Sequence, residues 1–180
     1  MNFEIVPYLY INGEWSLSDE TMAHLWLLAN EQGLIEKTFV SEQLTTLGQW
    51  FSIIQNRNNL ISVVSETEEN KPAAICWLND FGRNHASGHF FMFREYWGKA
   101  TIQIGKRVLK YWFEFERDGK PLLDIIIGRV PQSNQIAIKY VKKFGFWTCG
   151  VIPGIIYDAQ NDIYQNLEIL CMKREDFENG

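Results

Sequence analysis

Apolar positions along the chain recur with two periods, and the period changes several times. Spacings of three and four residues mark four helices. Met22, Leu25, Trp26 and Ala29 form one stripe over 19–32, with Ser18 or Asp19 to cap it and Gly33 to end it. Leu44, Leu47, Phe51 and Ile54 form a second over 42–57, capped by Ser41. Ile104, Val108, Tyr111 and Phe115 mark a third that runs to about residue 117, where "RDGKP" stops it. Ala137, Tyr140, Val141 and Phe144 mark the fourth, opened by Ser133 or Asn134 and closed by Gly145.

Seven shorter runs read as strands. Residues 3–10 form the first, with Pro7 confining it to an edge or a bulge. Runs 59–65, 73–79 and 87–93 are separated by the polar turns "ETEENKP" and "DFGRNHA", which suit antiparallel hairpins. "LLDIIIGRV" (122–130) is almost continuously apolar, as expected of a strand covered on both faces. Runs 146–152 and 163–173 complete the set. The order predicts one α/β domain over 1–180, with a mixed sheet of six to seven strands flanked by about four helices. Strands 87–93 and 122–130 become a parallel pair joined by the third helix, close at their amino ends and splayed towards their carboxyl ends. Ligands collect at such an edge, where strand carboxyl ends meet a helix amino end.

Composition narrows the function classes. With 22 acidic against 17 basic residues the net charge is −5, which argues against general nucleic-acid binding. A local basic patch is left around Lys99, Lys106, Arg107 and Lys110. No apolar stretch is long enough to span a membrane, and the start of the chain does not read as a secretory signal. Three widely separated cysteines, Cys76, Cys149 and Cys171, read as reduced residues in a cytoplasmic setting, without metal or redox spacing. Metal-spaced His/Glu pairs, a G-x-S-x-G elbow and a Walker loop are absent from the sequence, so no metal site is expected.

Two stretches carry chemistry. "EYWGKATIQIGKRVLKYWFE" puts a glycine and basic residues between a strand and a helix, where consecutive backbone N–H groups and the helix dipole can hold a phosphate. "NQIAIKYVKKFGF" opens a helix on an asparagine and closes it on glycine before an aromatic strand. Together with the element order these stretches resemble the GNAT superfamily of acyl-CoA-dependent N-acetyltransferases, the ribosomal-protein acetyltransferase branch in particular. They are also similar to GNAT-like head and virion proteins of tailed bacteriophages.

The resemblance implies acetyl-CoA as cofactor and a primary amine, on a small molecule or a protein, as acceptor. It assigns cofactor contacts to Trp97, Gly98, Lys99, Ala100, Thr101, Ile102, Gln103 and Asn134. The family's loop carries glycine or a small residue where this chain has Ala100 and Ile102, so the loop is degenerate. The family's tyrosine acid falls at Val141. Tyr140 is its neighbour, but one residue along a helix turns a side chain by about 100°. Candidate acid or base groups are therefore His89, Glu95 and Tyr140, with His85 in the preceding turn. Two readings follow: an N-acetyltransferase whose amine enters near residues 19–57, or an inactive fold of the same type that binds protein partners such as virion subunits.

Overall fold

The computed structural model describes residues 1–40, 44–98, 100–159 and 161–180. Seven strands form one mixed sheet. In chain order these are β1 (Phe3–Pro7), β4 (Leu60–Glu66), β5 (Lys71–Asn79), β6 (His85–Met92), β9 (Ile125–Pro131), β10 (Trp147–Asp158) and β11 (Ile163–Lys173). Their order across the sheet is β1-β4-β5-β6-β9-β11-β10. Two small ribbons stand apart, β2 (Tyr10–Ile11) with β3 (Glu14–Trp15), and β7 (Glu116–Arg117) with β8 (Lys120–Pro121). The helices are α1 (Asp19–Glu31), α2 (Leu34–Thr38), α3 (Leu47–Ile54), α4 (Thr101–Phe113), α5 (Gln135–Lys142) and α6 (Arg174–Glu178).

Helices cover both faces of the sheet, and strand alternation says which side chains meet them. On one face Phe39, just after α2, stacks on Trp77, which stacks in turn on His89 of the paired strand. Trp50 of α3 meets Phe39 edge-on and donates its indole N–H to the Met22 carbonyl of α1. On the other face Trp112 of α4 and Ile126 of β9 close over Gly88 so tightly that a Cβ there would lie 2.9 Å from each. Phe90 meets Tyr140 of α5 on that same side. Val64, Ile75, Cys76, Leu78, Ala86 and Leu170 are fully buried between the layers.

Local signals explain the elements that follow expectation. Ser18 accepts from the Thr21 N–H to cap α1, and Gly33 takes a left-handed φ of 65° to end it. Asn134, rather than Ser133, caps α5 by accepting from the Ala137 N–H. Asp124 takes a bond from Asn84 of the loop before β6.

Several boundaries differ. The second helix begins at Leu47, not 42, because Thr46 and Gln49 form a reciprocal capping box. The proposed cap Ser41 lies outside the described residues. The third helix stops at Phe113, since Asp118 and Gly119, both at positive φ, turn the chain into the β7–β8 ribbon. The first strand ends at Pro7, on the sheet edge. The strand foreseen at 122–130 is Ile125–Pro131.

The strand expected at 146–152 extends to Asp158. Pro153 and Gly154 pass as a bulge, with the Gly154 N–H donating to the Asn166 side chain. Helices α2 and α6, five residues each, are too short to show a period. The expectation of three reduced cysteines is also corrected. Antiparallel pairing of β10 with β11 brings Cys149 beside Cys171 and the two are joined as a disulfide, while Cys76 is free and buried.

Candidate functional site

The parallel pair foreseen from the sequence is β6 and β9. They pair only at His85↔Ile125, Ala86↔Ile126 and Ser87↔Ile127. Beyond that point β9 stays bonded to β11 as far as Pro131, while β6 continues with β5. The strands therefore part from Gly88 and Gly128 onwards. A cleft of about 500 Å³ occupies the gap, walled by β6, β9, α4 and α5.

Phe90, Met92, Ile104, Val108, Val130 and Phe144 are among its apolar lining residues. Its charged lining residues are Lys37, Arg129, Lys139 and Lys143, and no described carboxylate lines it. In a chain of net charge −5 this is a local reversal of sign. It suits a ligand with an apolar arm and an anionic end.

The amino end of α4 opens onto this cleft. Neither a capping side chain nor an acidic residue stands in its first turn, unlike α1 with Ser18, Asp19 and Glu20. Its leading N–H groups are therefore left to bind something other than their own side chains. Gly98, at φ 95°, turns the chain into this helix, and a Cβ there would meet nothing within 4 Å. The Thr101 hydroxyl donates to the Gly98 carbonyl at 2.6 Å and closes the turn. Trp97 is fixed by its indole N–H on the Met92 carbonyl, with Arg94 over its ring.

Of the cofactor contacts expected from the sequence, Trp97, Gly98, Thr101 and Asn134 line the cleft. Lys99 lies outside the described residues. Ala100 is buried in the hydrophobic core, so its methyl is directed inward. Ile102 is partly exposed and Gln103 donates to the Met1 carbonyl; neither lines the cleft. The basic patch foreseen on α4 is elsewhere too. Lys106, Arg107 and Lys110 face solvent, and Lys110 pairs with Glu114.

The acid and base candidates separate clearly. Glu95 is exposed in the short 3-10 turn at Arg94–Tyr96 and lines neither cavity. Tyr140 lines the cleft, but its hydroxyl donates to the Thr101 carbonyl at 2.6 Å and lies against the Gly105 N–H. Burial raises its pKa above that of an ordinary phenol. It is a fastening between α5 and α4, and Gly105 makes room for it, because a Cβ there would stand 2.5 Å from the hydroxyl. Val141, set at a tyrosine position only by the resemblance in sequence, is buried.

His89 lines the cleft at the splay. It stacks on Trp77, and its Nε2 is 3.0 Å from the Asn79 side-chain oxygen. Desolvation depresses its pKa to about 4; Asp80 opposes this and Arg129 adds to it. Asp80 and Arg129 are themselves an ion pair. His85, at the start of β6, packs against Gly82, away from both cavities.

A second cavity of about 740 Å³ adjoins the first. Its walls include Glu36 of α2, Phe39 and Leu44 between α2 and α3, Ser133 and Gln135 at the start of α5, and Asp158 and Gln165 beside the β10–β11 turn. Lys37, Pro131, Asn134 and Ile136 line both cavities and form their junction. Residues 19–57, near which the sequence analysis expected an amine to enter, supply part of this lining, and Asp158 and Gln165 were not foreseen in it. Nor were the cations of the cleft. Lys139 and Lys143, four apart on one helix face, were the available signal.

A mixed sheet that parts between two parallel strands, with an uncapped helix aimed at the gap, is the GNAT fold. The structure is similar to that of spermidine N-acetyltransferase from Vibrio cholerae in complex with CoA and spermine, with TM-score 0.76, 16% identity and 98% of both chains covered. A chimera of the Vibrio cholerae enzyme with hSSAT is equally similar at TM-score 0.76, 15% identity and 99% coverage of both chains. A dodecameric structure of the Vibrio cholerae enzyme in an intermediate state follows at TM-score 0.69 and 16% identity, covering 98% of this chain and 96% of that one. No family model and no curated protein matches the sequence.

Proposed function

We propose that the chain is a GNAT-type N-acyltransferase that moves an acetyl group from acetyl-CoA to a primary amine. The observation that carries this reading is the cationic, carboxylate-free cleft at the splay, joined at Lys37 and Ile136 to a second cavity that holds Glu36 and Asp158. When bound, acetyl-CoA supplies the thioester whose acetyl group is transferred.

The chain's own residues divide the remaining work. Amides at the start of α4, with Lys139 and Lys143, hold the anionic end, and the apolar lining between β6 and β9 takes the arm. Carboxylates in the second cavity attract the acceptor as its ammonium form. His89 is uncharged at neutral pH and stands at the splay, but its depressed pKa makes it a weak base, so water carries the proton of the entering amine to solvent. Without a tyrosine at position 141, catalysis rests chiefly on positioning, with solvent returning a proton to the departing thiolate.

A second reading, an inactive GNAT-fold assembly subunit of the tailed-phage type, is favoured by one observation. Val141 is buried where the acid belongs, and the neighbouring Tyr140 is bonded to the α4 backbone. Two measurements separate the readings. CoA at about 100 times its dissociation constant adds roughly 2.7 kcal/mol to stability if the cleft binds it. Thiol release from acetyl-CoA in the presence of an amine panel reports transfer. Stabilisation with turnover is expected; neither stabilisation nor turnover would leave the assembly reading.

A further inference from the structure

Ile136 is 80% exposed, the most open large apolar side chain among the described residues. It is the second residue of α5 and lies off the helix face that buries Ile138 and Val141. In the free chain it is apolar surface facing water. Its place is nonetheless particular. Ile136 lines both cavities, and at their junction it stands with Pro131, Asn134 and Lys37. Beyond the junction Phe39, Val40 and Leu44 add apolar wall to the second cavity, beside the carboxylates of Glu36 and Asp158.

We propose that the acceptor is a primary amine on an apolar body, alkyl or aryl, and that Ile136 selects it; this rests on the acetyl-transfer reading given above. In the transfer the amine nitrogen bonds the acetyl carbon and the carbon–sulfur bond breaks. The nitrogen's proton passes to solvent, which returns one to the departing thiolate. To react, the nitrogen must reach the cleft while the rest of the acceptor stays in the second cavity. The atoms next to the nitrogen therefore lie at the junction. Ile136 and Pro131 meet those atoms with carbon, which favours apolar groups laid over it and offers polar ones no partner. Lys37 puts a positive charge at the same place. An acceptor with a second ammonium close behind the first would be repelled there. One ammonium drawn in by Glu36 and Asp158, with carbon behind it, fits this lining.

The test follows thiol release from acetyl-CoA by the purified full chain with ethylamine, hexylamine, 2-phenylethylamine, spermidine and glucosamine. From ethylamine to hexylamine kcat/KM should rise at least about tenfold, and spermidine and glucosamine should fall below hexylamine. Ile136→Ser should raise KM for hexylamine at least about fivefold and leave KM for ethylamine and for acetyl-CoA unchanged, while Ile136→Leu restores the hexylamine value. Leu27→Ser, at an exposed site on α1 that lines neither cavity, should change none of these constants. Should Ile136→Ser fail to fold, the amine series on the unaltered protein decides the matter. Calorimetric titration of hexylamine and ethylamine into the CoA-saturated chain should give the same order as the rates. Turnover that ignores chain length, turnover that favours spermidine or glucosamine, or an Ile136→Ser effect confined to acetyl-CoA would each overturn the proposal and leave acetyl transfer standing. Absence of turnover with every amine would overturn both.

Discussion

At the scale of single residues, the cleft is defined by two side chains with different duties. His89 is held neutral by its burial, with a pKa of about 4 against 6.5 for the exposed residue. A histidine whose folded pKa is depressed resists protons in the fold, so protons favour the unfolded chain. Its contribution to stability is whole above about pH 6.5 and is lost as the pH falls towards 4. Urea titrations at pH 7.5 and pH 5 should show wild type losing about 2 kcal/mol more over that interval than His89→Phe, which keeps the stack on Trp77. Equal losses would mean that the imidazole titrates normally. Tyr140 has a structural duty. Tyr140→Phe should cost about 1 kcal/mol of stability through the lost bond to Thr101, and should weaken CoA binding a few-fold. Removing a general acid would instead lower kcat by about 10²–10⁴ with little change in stability, and steady-state kinetics beside melting curves distinguishes the two.

At the scale of elements, α4 and α5 act as one clamp. Helix α4 offers uncapped amides, and α5 is fastened to it by Tyr140 and by Phe144 lying over Gly105. Lys139 and Lys143 stand on α5 with their charges towards the cleft mouth, and both are exposed enough to be changed without disturbing the core. Reversing both charges, Lys139→Glu with Lys143→Glu, should raise the CoA dissociation constant at least tenfold by calorimetry and flatten its dependence on salt. A double variant that binds CoA as tightly as wild type would remove α5 from the cofactor site. The rest of the clamp follows from glycine placement. Gly98 supplies a backbone conformation and Gly105 supplies space, two separate reasons for the same residue in one short stretch.

At the scale of the whole molecule, two cavities of different charge content meet at the carboxyl end of β9. One takes its cations from α2, β9 and α5; the other takes carboxylates from α2 and the end of β10. If the second cavity receives the amine, Glu36→Gln should raise KM for a cationic amine several-fold while KM for acetyl-CoA stays unchanged. Initial rates with each substrate varied in turn would show this. A change confined to acetyl-CoA would place Glu36 on the cofactor side. Among the described residues no helix is long and apolar enough to cross a membrane. The tryptophans differ by position, with Trp50, Trp77 and Trp112 in the core and Trp97 and Trp147 at the surface.

The residue pattern alone determined most of the elements, their order and the turn that opens α4, because periodicity, caps and breakers act over a few neighbouring positions. It offered Asn134 as a helix cap, Gly98 as the turn and the two strands as a parallel pair, and it expected an amine to enter near residues 19–57. Other features were decided only in three dimensions. A stripe says which face of an element is apolar, but not which other element covers it. Ala100 and Ile102 stand out in the sequence as departures within the loop, and packing sets the first in the core and the second outside the cleft lining. Tyr140 looked like a displaced acid until α4 met its hydroxyl. β10 read as a strand over 146–152, and proved to run from Trp147 to Asp158 and to be largely exposed at the end of the sheet. Burial, the pairing of charges and the meeting of two cavities depend on contacts between distant parts of the chain, and no local pattern records them.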